Sequence, residues 1–209
     1  MSEPSLVLPP DRKPHRKGAI RRQQIIDTAR QTLIETGISG LILREVAEQI
    51  GITHGNLQYY FATKDDLVVA VFDQELQRYT ESMHEAAMHS STRHGRISAI
   101  IDSAVEVIAG ESTTLWTMLF SLARQNQQLC NILQTAYEKY DQSLADEIAM
   151  IYPDLSSQRR LHMAQMIRMI LDGFGVQTAY DEPNSANMIA LRGEIKTAVL
   201  SWLDMDHTR

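Results

Sequence analysis

Apolar residues along this chain recur at steps of three and four, the period of one helix face, and glycine or proline breaks the pattern in few places. Ile25, Ile26, Ala29 and Leu33 mark a first helix over about 19–36 that stops at Gly37. Two short helices follow at about 43–50 and 54–60. A long one starts near Lys64 and runs to about residue 89, because no Gly or Pro falls between Gly55 and Gly95. Ile97, Ile101, Ala104 and Ile108 give a fifth over about 95–109, ending at Gly110. Residues 111–152 hold no Gly or Pro and fit one short and one long helix. Leu129, Leu133, Tyr137, Tyr140, Leu144, Ile148 and Ile151 mark the long one. Beyond Pro153 an eighth helix over about 157–180 carries Leu161, Ala164, Ile167, Ile170 and Phe174. After Pro183 a last one over about 185–204 carries Met188, Leu191, Ile195, Val199 and Trp202. No alternating strand pattern and no Asn-Gly hairpin occurs, so the chain reads as all-α.

Residues 44–64 say most about function. Val46, Ala47 and Ile50 give an apolar face, and Gly51 stands where a helix end wants positive φ. Thr53 can cap a second short helix whose inward side is Leu57, Tyr60 and Phe61. Thr63 and Asp66 then form a capping box for a third helix. Helix, glycine turn and helix make a helix-turn-helix unit, which lays its second helix in the major groove of double-stranded DNA. Its outward residues His54, Asn56, Gln58 and Tyr59 are hydrogen-bonding or aromatic rather than acidic, as a base-reading surface requires.

Charge sharpens that reading. The net charge of −6 is unlike a DNA binder until it is divided. Residues 12–64 hold nine Lys or Arg against four Asp or Glu, while residues 65–209 hold eleven against twenty. A basic head on an acidic body confines polyanion binding to one surface, where counterion release supplies affinity. Four of the six prolines fall in the first fourteen residues, so residues 1–18 are expected to be a disordered basic arm. At 209 residues, a helix-turn-helix domain over 19–63 leaves 64–209 for a larger helical domain. No apolar run of about 18 residues occurs and no secretory leader pattern opens the chain, so no membrane partner is expected. Cys130 is the one cysteine, which suits a reducing cytoplasm.

With these helices placed, residues 19–67 resemble the TetR family of transcriptional regulators. The matching residues are Ile25-Ile26 with Ala29, Gly37, Arg44-Glu45-Val46-Ala47, Gly51-Ile52-Thr53, Gly55-Asn56-Leu57, Tyr60-Phe61, Lys64-Asp65 and Leu67. Beyond them, Asp172-Gly173 in the eighth helix is similar to the regulatory domain of the betaine-regulator type. The resemblance implies a homodimer that binds a palindromic operator, usually as a repressor, and is released by a small molecule. Carried over by position, Thr53, Tyr59, Tyr60 and Lys64 would contact phosphates. His54, Gly55 and Gln58 would approach base edges, with Arg44 reaching from the preceding helix. Two departures stand out. The family usually starts that preceding helix with Thr, where this chain has Leu41, Ile42 and Leu43, and a missing N-cap costs about 1 kcal/mol. Its usual tyrosine in the middle of the reading helix is Gln58 here.

Other chemistry has little support. His84, His89 and His94 recur every five residues, which rotates them around a helix instead of stacking them as metal ligands. No nucleophile elbow, phosphate-cradling glycine loop or dinucleotide fingerprint occurs, so neither an enzyme nor a cofactor is expected. An effector pocket is expected from Trp116, Met118 and Phe120, Tyr137, and Met163, Met166 and Met169, with Trp116, Phe120, Tyr137 and Met166 as its lining. Each of these can equally be core. Arg168 and Asp172 at i, i+4 are either a helix pair or a polar anchor for a ligand. The apolar faces of the last two helices suit a four-helix bundle with a second copy, with Leu191 and Val199 in the interface, or else complete one subunit's core. Control by a protein partner, or by no ligand at all, stays open.

Overall fold

The computed structural model describes residues 14–110, 113–178 and 185–206. Among them are nine helices and no strand: α1 (Pro14–Gly40), α2 (Leu43–Gln49), α3 (His54–Tyr60), α4 (Lys64–Met88), α5 (Arg93–Ala109), α6 (Thr113–Ala123), α7 (Gln127–Ile151), α8 (Ser157–Thr178) and α9 (Ala186–Asp206). The chain divides into two units between Leu67 and Val68. The first turn of α4 therefore belongs to the first unit and the rest of that helix to the second.

In the first unit, Ile25, Ile26, Ala29 and Leu33 are buried together with Leu41, Val46, Ala47, Leu57, Phe61 and Leu67. α1 begins at Pro14, so residues 14–18, expected in a disordered arm, are helical; proline is tolerated in a first turn, where its missing N–H has no helical partner to lose. Residues 1–13, the rest of the expected arm, lie outside the described residues. Gly37 breaks the helical backbone at φ 68°. α2 has Ile42 at its N-cap with no side-chain cap, and Leu41 beside it is buried at 1% exposure. The N-cap residue Ile42 is itself exposed, and the buried Leu41 before it anchors the start of the helix.

The turn between α2 and α3 is a Schellman motif. Ile52 N–H donates to the Ala47 carbonyl at 3.0 Å and Gly51 N–H to that of Glu48 at 3.1 Å. Gly51 has φ 68°, and a Cβ added there would meet nothing within 4 Å. Gly51→Ala should therefore cost only the left-handed backbone penalty, about 1–2 kcal/mol. A fall in the denaturant midpoint at constant slope is the expected readout. Thr53 caps α3 by accepting from Asn56 N–H at 3.2 Å. Thr63 and Asp66 cap α4 reciprocally, at 2.9 Å and 3.1 Å.

In the second unit, α7 packs on α8 and α5, and α9 on α5 and α8. Arg96 grips Glu147 bidentately, at 2.6 and 2.5 Å, tying α5 to α7. α8 turns Met163, Ala164, Ile167, Leu171 and Phe174 inward. Its opposite side exposes Met166, Met169, Ile170 and Val176. α9 buries Met188, Val199 and Leu203 and exposes Ile189. Of the residues expected to meet a second copy or complete the core, Ala164, Ile167, Phe174, Met188 and Val199 are buried in the subunit, Leu161, Leu191, Ile195 and Trp202 are half-buried, and Ile170 is exposed. Among the described residues no helix is long and apolar enough to cross a membrane.

Candidate nucleic-acid interface and effector cavity

α3 is seven residues long and buries only Leu57. One inward anchor on so short a helix leaves His54, Gly55, Asn56, Gln58 and Tyr59 exposed, Tyr59 at 83%. Tyr59 meets Tyr60 edge-on, with centroids 5.3 Å apart, so the half-buried Tyr60 ring braces the exposed one. Arg44 on α2 pairs with Glu48 at 3.1 Å. Both side chains are well exposed, and such an i, i+4 pair is weak enough to open for another partner.

Thr53, Asn56 and Tyr60 line an open cleft together with Ile52, Lys17, Gly18 and Arg21. Lys17 and Arg21 stand one helical turn apart on α1, and Arg21 donates to the Ile50 carbonyl at 3.3 Å. Lys17, expected in the arm, lies on α1, and its i, i+4 spacing from Arg21 puts both cations on one helix face, a signal present in the sequence. Lys64, expected at a phosphate, stands at the N-terminus of α4. Its ammonium donates to the Ile38 carbonyl, bracing the segment after Gly37.

In the second unit, Trp116, Phe120 and Tyr137 come together with Tyr79, Asp172 and Gly175 around a small cavity. Tyr79 and Trp116 meet edge-on at 5.0 Å, and Trp116 and Phe120 lie at 6.5 Å. The space open to the centre of a water is about 10 Å³, room for roughly one molecule. Met166 does not take part. It is 44% exposed, because α8 turns Leu171, Asp172 and Gly175 toward the interior and Met166 away from it. A wider groove of about 290 Å³ passes Leu76, Thr80, Ile132 and Ala136, but it contains no aromatic ring.

The polar end of the cavity is a connected network. Tyr137 Oη donates to Asp172 Oδ2 at 3.0 Å, and Arg168 Nη1 donates to the same oxygen at 3.2 Å. Arg168 also holds Asp141 through Nε at 2.8 Å and Nη2 at 3.3 Å. Its guanidinium carbon stands 4.0 Å from the centre of the Tyr137 ring. Burial pushes the Asp172 carboxyl above its ordinary value, although the Tyr137 hydroxyl and Arg168 pull it down. Burial, with the nearby Asp172 carboxylate, raises Tyr137, and burial likewise raises Tyr140 and Tyr79, so all three phenols stay neutral. For Arg168, burial works against the charge, but the Asp141 hydrogen bond and both carboxylates outweigh it and raise its pKa. Sequence spacing showed the Arg168–Asp172 pair; Tyr79, Asp141 and Gly175 come from contacts between helices far apart in the chain.

Residues 25–71 match the family described as bacterial regulatory proteins, tetR family. Over 177 residues the chain is 25% identical to the HTH-type transcriptional regulator BetI of Brucella canis, covering 82% of this chain and 87% of that protein. Its fold is similar to that of a TetR transcription regulator from Haloarcula marismortui, with a TM-score of 0.74 at 18% identity, covering 90% of this chain and 98% of that one. It is also similar to a protein from Saccharomonospora viridis crystallised in complex with choline, with a TM-score of 0.72 at 13% identity over 89% and 96% of the two chains.

Proposed function

We propose that this chain, which belongs to the TetR family of transcriptional regulators, is a ligand-responsive repressor that binds a palindromic operator as a homodimer and is released by a small organic cation. The observation that carries the reading is the cavity of four aromatic rings closed at one end by the Asp172 carboxylate. Ring faces attract cations, and aromatic cages suit quaternary ammonium groups, which carry charge but no N–H to satisfy. A carboxylate at the end of such a cage supplies the countercharge. Choline in the Saccharomonospora viridis protein agrees with that class. Coupling to DNA runs through α4, which carries Tyr79 against the cavity and begins in the unit that holds α3. A ligand shifts operator affinity only by its preference for the DNA-incompetent state, and about 1–3 kcal/mol gives roughly a 5–150-fold change.

In the proposed dimer, the exposed stripe of Met166, Met169, Ile170 and Val176 on α8 and Ile189 on α9 meets its symmetry mate. Gly173 and Gly193 lie on the same outward faces, with open space where a side chain would stand, so partner helices can approach closely. The two reading heads then engage two half-sites.

The test is an electrophoretic shift with the DNA upstream of the chain's own gene, repeated with millimolar choline. A sequence-specific complex that choline dissolves is the expected result, and choline-insensitive binding overturns the effector part. Base and phosphate contacts separate by mutation. Gln58→Ala should relax preference at one operator position by about 1–3 kcal/mol. Lys17→Ala should weaken binding to all sequences alike and lower the salt slope by about one unit. An unchanged selected-site profile for Gln58→Ala would place α3 outside the groove.

A further inference from the structure

We propose that the Arg168 guanidinium is an internal competitor for the counterion of the cation subsite, and that an organic cation binds by displacing it from Asp172 onto Asp141. The inference rests on the reading of the cavity as an effector site and adds how that site is regulated. Arg168 is not among the residues that line the cavity, but it holds two groups that are, the Tyr137 ring and the Asp172 carboxylate. Its guanidinium carbon lies 4.0 Å from the Tyr137 ring centre, and Nη1 is 3.2 Å from Asp172 Oδ2. The cavity has room for about one water, so its lining must also shift to admit a quaternary ammonium group. A cation that takes Asp172 as its counterion must take it from Arg168, whereas an uncharged ligand need not.

Arg168 has somewhere to go. Nε and Nη2 bond both oxygens of Asp141, at 2.8 and 3.3 Å, and neither bond involves Asp172. Asp141 is 4% exposed, so this second anchor lies within the protein. The charge balance favours the exchange. Two carboxylates share one guanidinium, and an incoming cation would leave two complete pairs, Asp141 with Arg168 and Asp172 with the ligand. Tyr137 Oη, donating to Asp172 at 3.0 Å, holds that carboxylate in position throughout. The burial-driven rise of the Asp172 carboxyl fits a group that half a share of Arg168 leaves under-compensated. Arg168 then sets the threshold of the response, because apparent affinity equals intrinsic affinity scaled by the fraction of time the subsite is open.

Calorimetric titration of the full chain with choline tests this, with 3,3-dimethylbutan-1-ol as the uncharged shape analogue. Arg168→Gln should tighten choline binding by about tenfold or more, since the competitor is gone. Arg168→Lys, with a single ammonium and no planar stack, should fall between it and the unmutated chain. Asp141→Asn should do the opposite, weakening choline binding by removing the anchor to which Arg168 retreats. The neutral analogue should respond to none of the three. Choline binding that is unchanged or weaker in Arg168→Gln overturns the displacement while leaving the cavity as an effector site. Where Arg168→Gln does not fold, Arg168→Lys decides in the same sense, with tighter binding supporting the exchange and equal or weaker binding refuting it. No choline binding in any form removes both readings together.

Discussion

Met169→Glu should yield a folded monomer that has lost its operator. Met169 is 58% exposed, the most exposed apolar residue on the free side of α8, with Met166, Ile170 and Val176 along the same side. Its side chain supports little of the subunit core, so a carboxylate there costs the isolated chain little. In an interface of about 1,000 Å² or more, the same carboxylate would be taken out of water opposite its own copy. Burying an unpaired charge costs several kcal/mol, at least ~100-fold in the dimer constant. Operator affinity should fall with it, because one reading head on one half-site loses the contribution of the other. Light scattering at micromolar concentration, circular dichroism and an electrophoretic shift are the measurements. A dimer that survives Met169→Glu would place the interface elsewhere. Val199→Glu is the informative contrast. Val199 is 2% exposed, so that change should lower the melting temperature of the subunit itself rather than separate subunits.

That contrast shows what the sequence could and could not convey. Local signals were legible because each is a short-range hydrogen-bonding or backbone requirement. Gly51 has the positive φ of a helix end, Thr53 caps α3, Thr63 and Asp66 cap α4, and α2 lacks a capping side chain as expected. The direction in which α8 faces was not legible. Met163, Ile167 and Leu171 form one apolar stripe and Met166, Met169 and Ile170 another, and periodicity alone cannot say which is core. Met166, expected in the cavity, therefore lies on the exposed stripe. Trp116, Phe120 and Tyr137 were found as large aromatics on neighbouring helices. Asp141 and Tyr79 were not, since their partners Arg168 and Trp116 are 27 and 37 positions away in sequence. α1 starts at Pro14 and not near residue 19, because a first helical turn tolerates proline, which proline density alone does not reveal.

Asp172→Asn should remove the response to a quaternary ammonium while leaving the fold and operator binding close to unchanged. Burial raises the Asp172 pKa above its ordinary value of 3.8, against the pull of Tyr137 and Arg168. A raised folded-state pKa means that the folded chain holds the proton more tightly than the unfolded one. Ionised Asp172 therefore subtracts stability above the folded value, and the penalty vanishes below the unfolded one. The amide avoids that penalty and loses the charge on one Arg168 hydrogen bond, while Asp141 still holds the guanidinium at 2.8 Å. The two changes oppose each other, so the net effect on the fold should be small, and buried carboxylates perturbed in this way are often found at functional sites. Binding of a cation is different, because truncating one partner of a desolvated charge pair costs about 2–5 kcal/mol, at least ~30-fold in Kd. The same carboxylate predicts a pH dependence. The groups around it are Tyr137 and Asp141 from α7, Tyr140 behind them, Tyr79 from α4 and Arg168 on its own helix. The phenols stay neutral and Arg168 stays charged, so choline affinity should rise with pH through the raised Asp172 pKa and level off above it. In Asp172→Asn that rise should be absent and choline should no longer release the operator. A variant that binds choline like the unmutated chain would show that Asp172 is not the counterion, and the cavity's claim to a cation would fail with it.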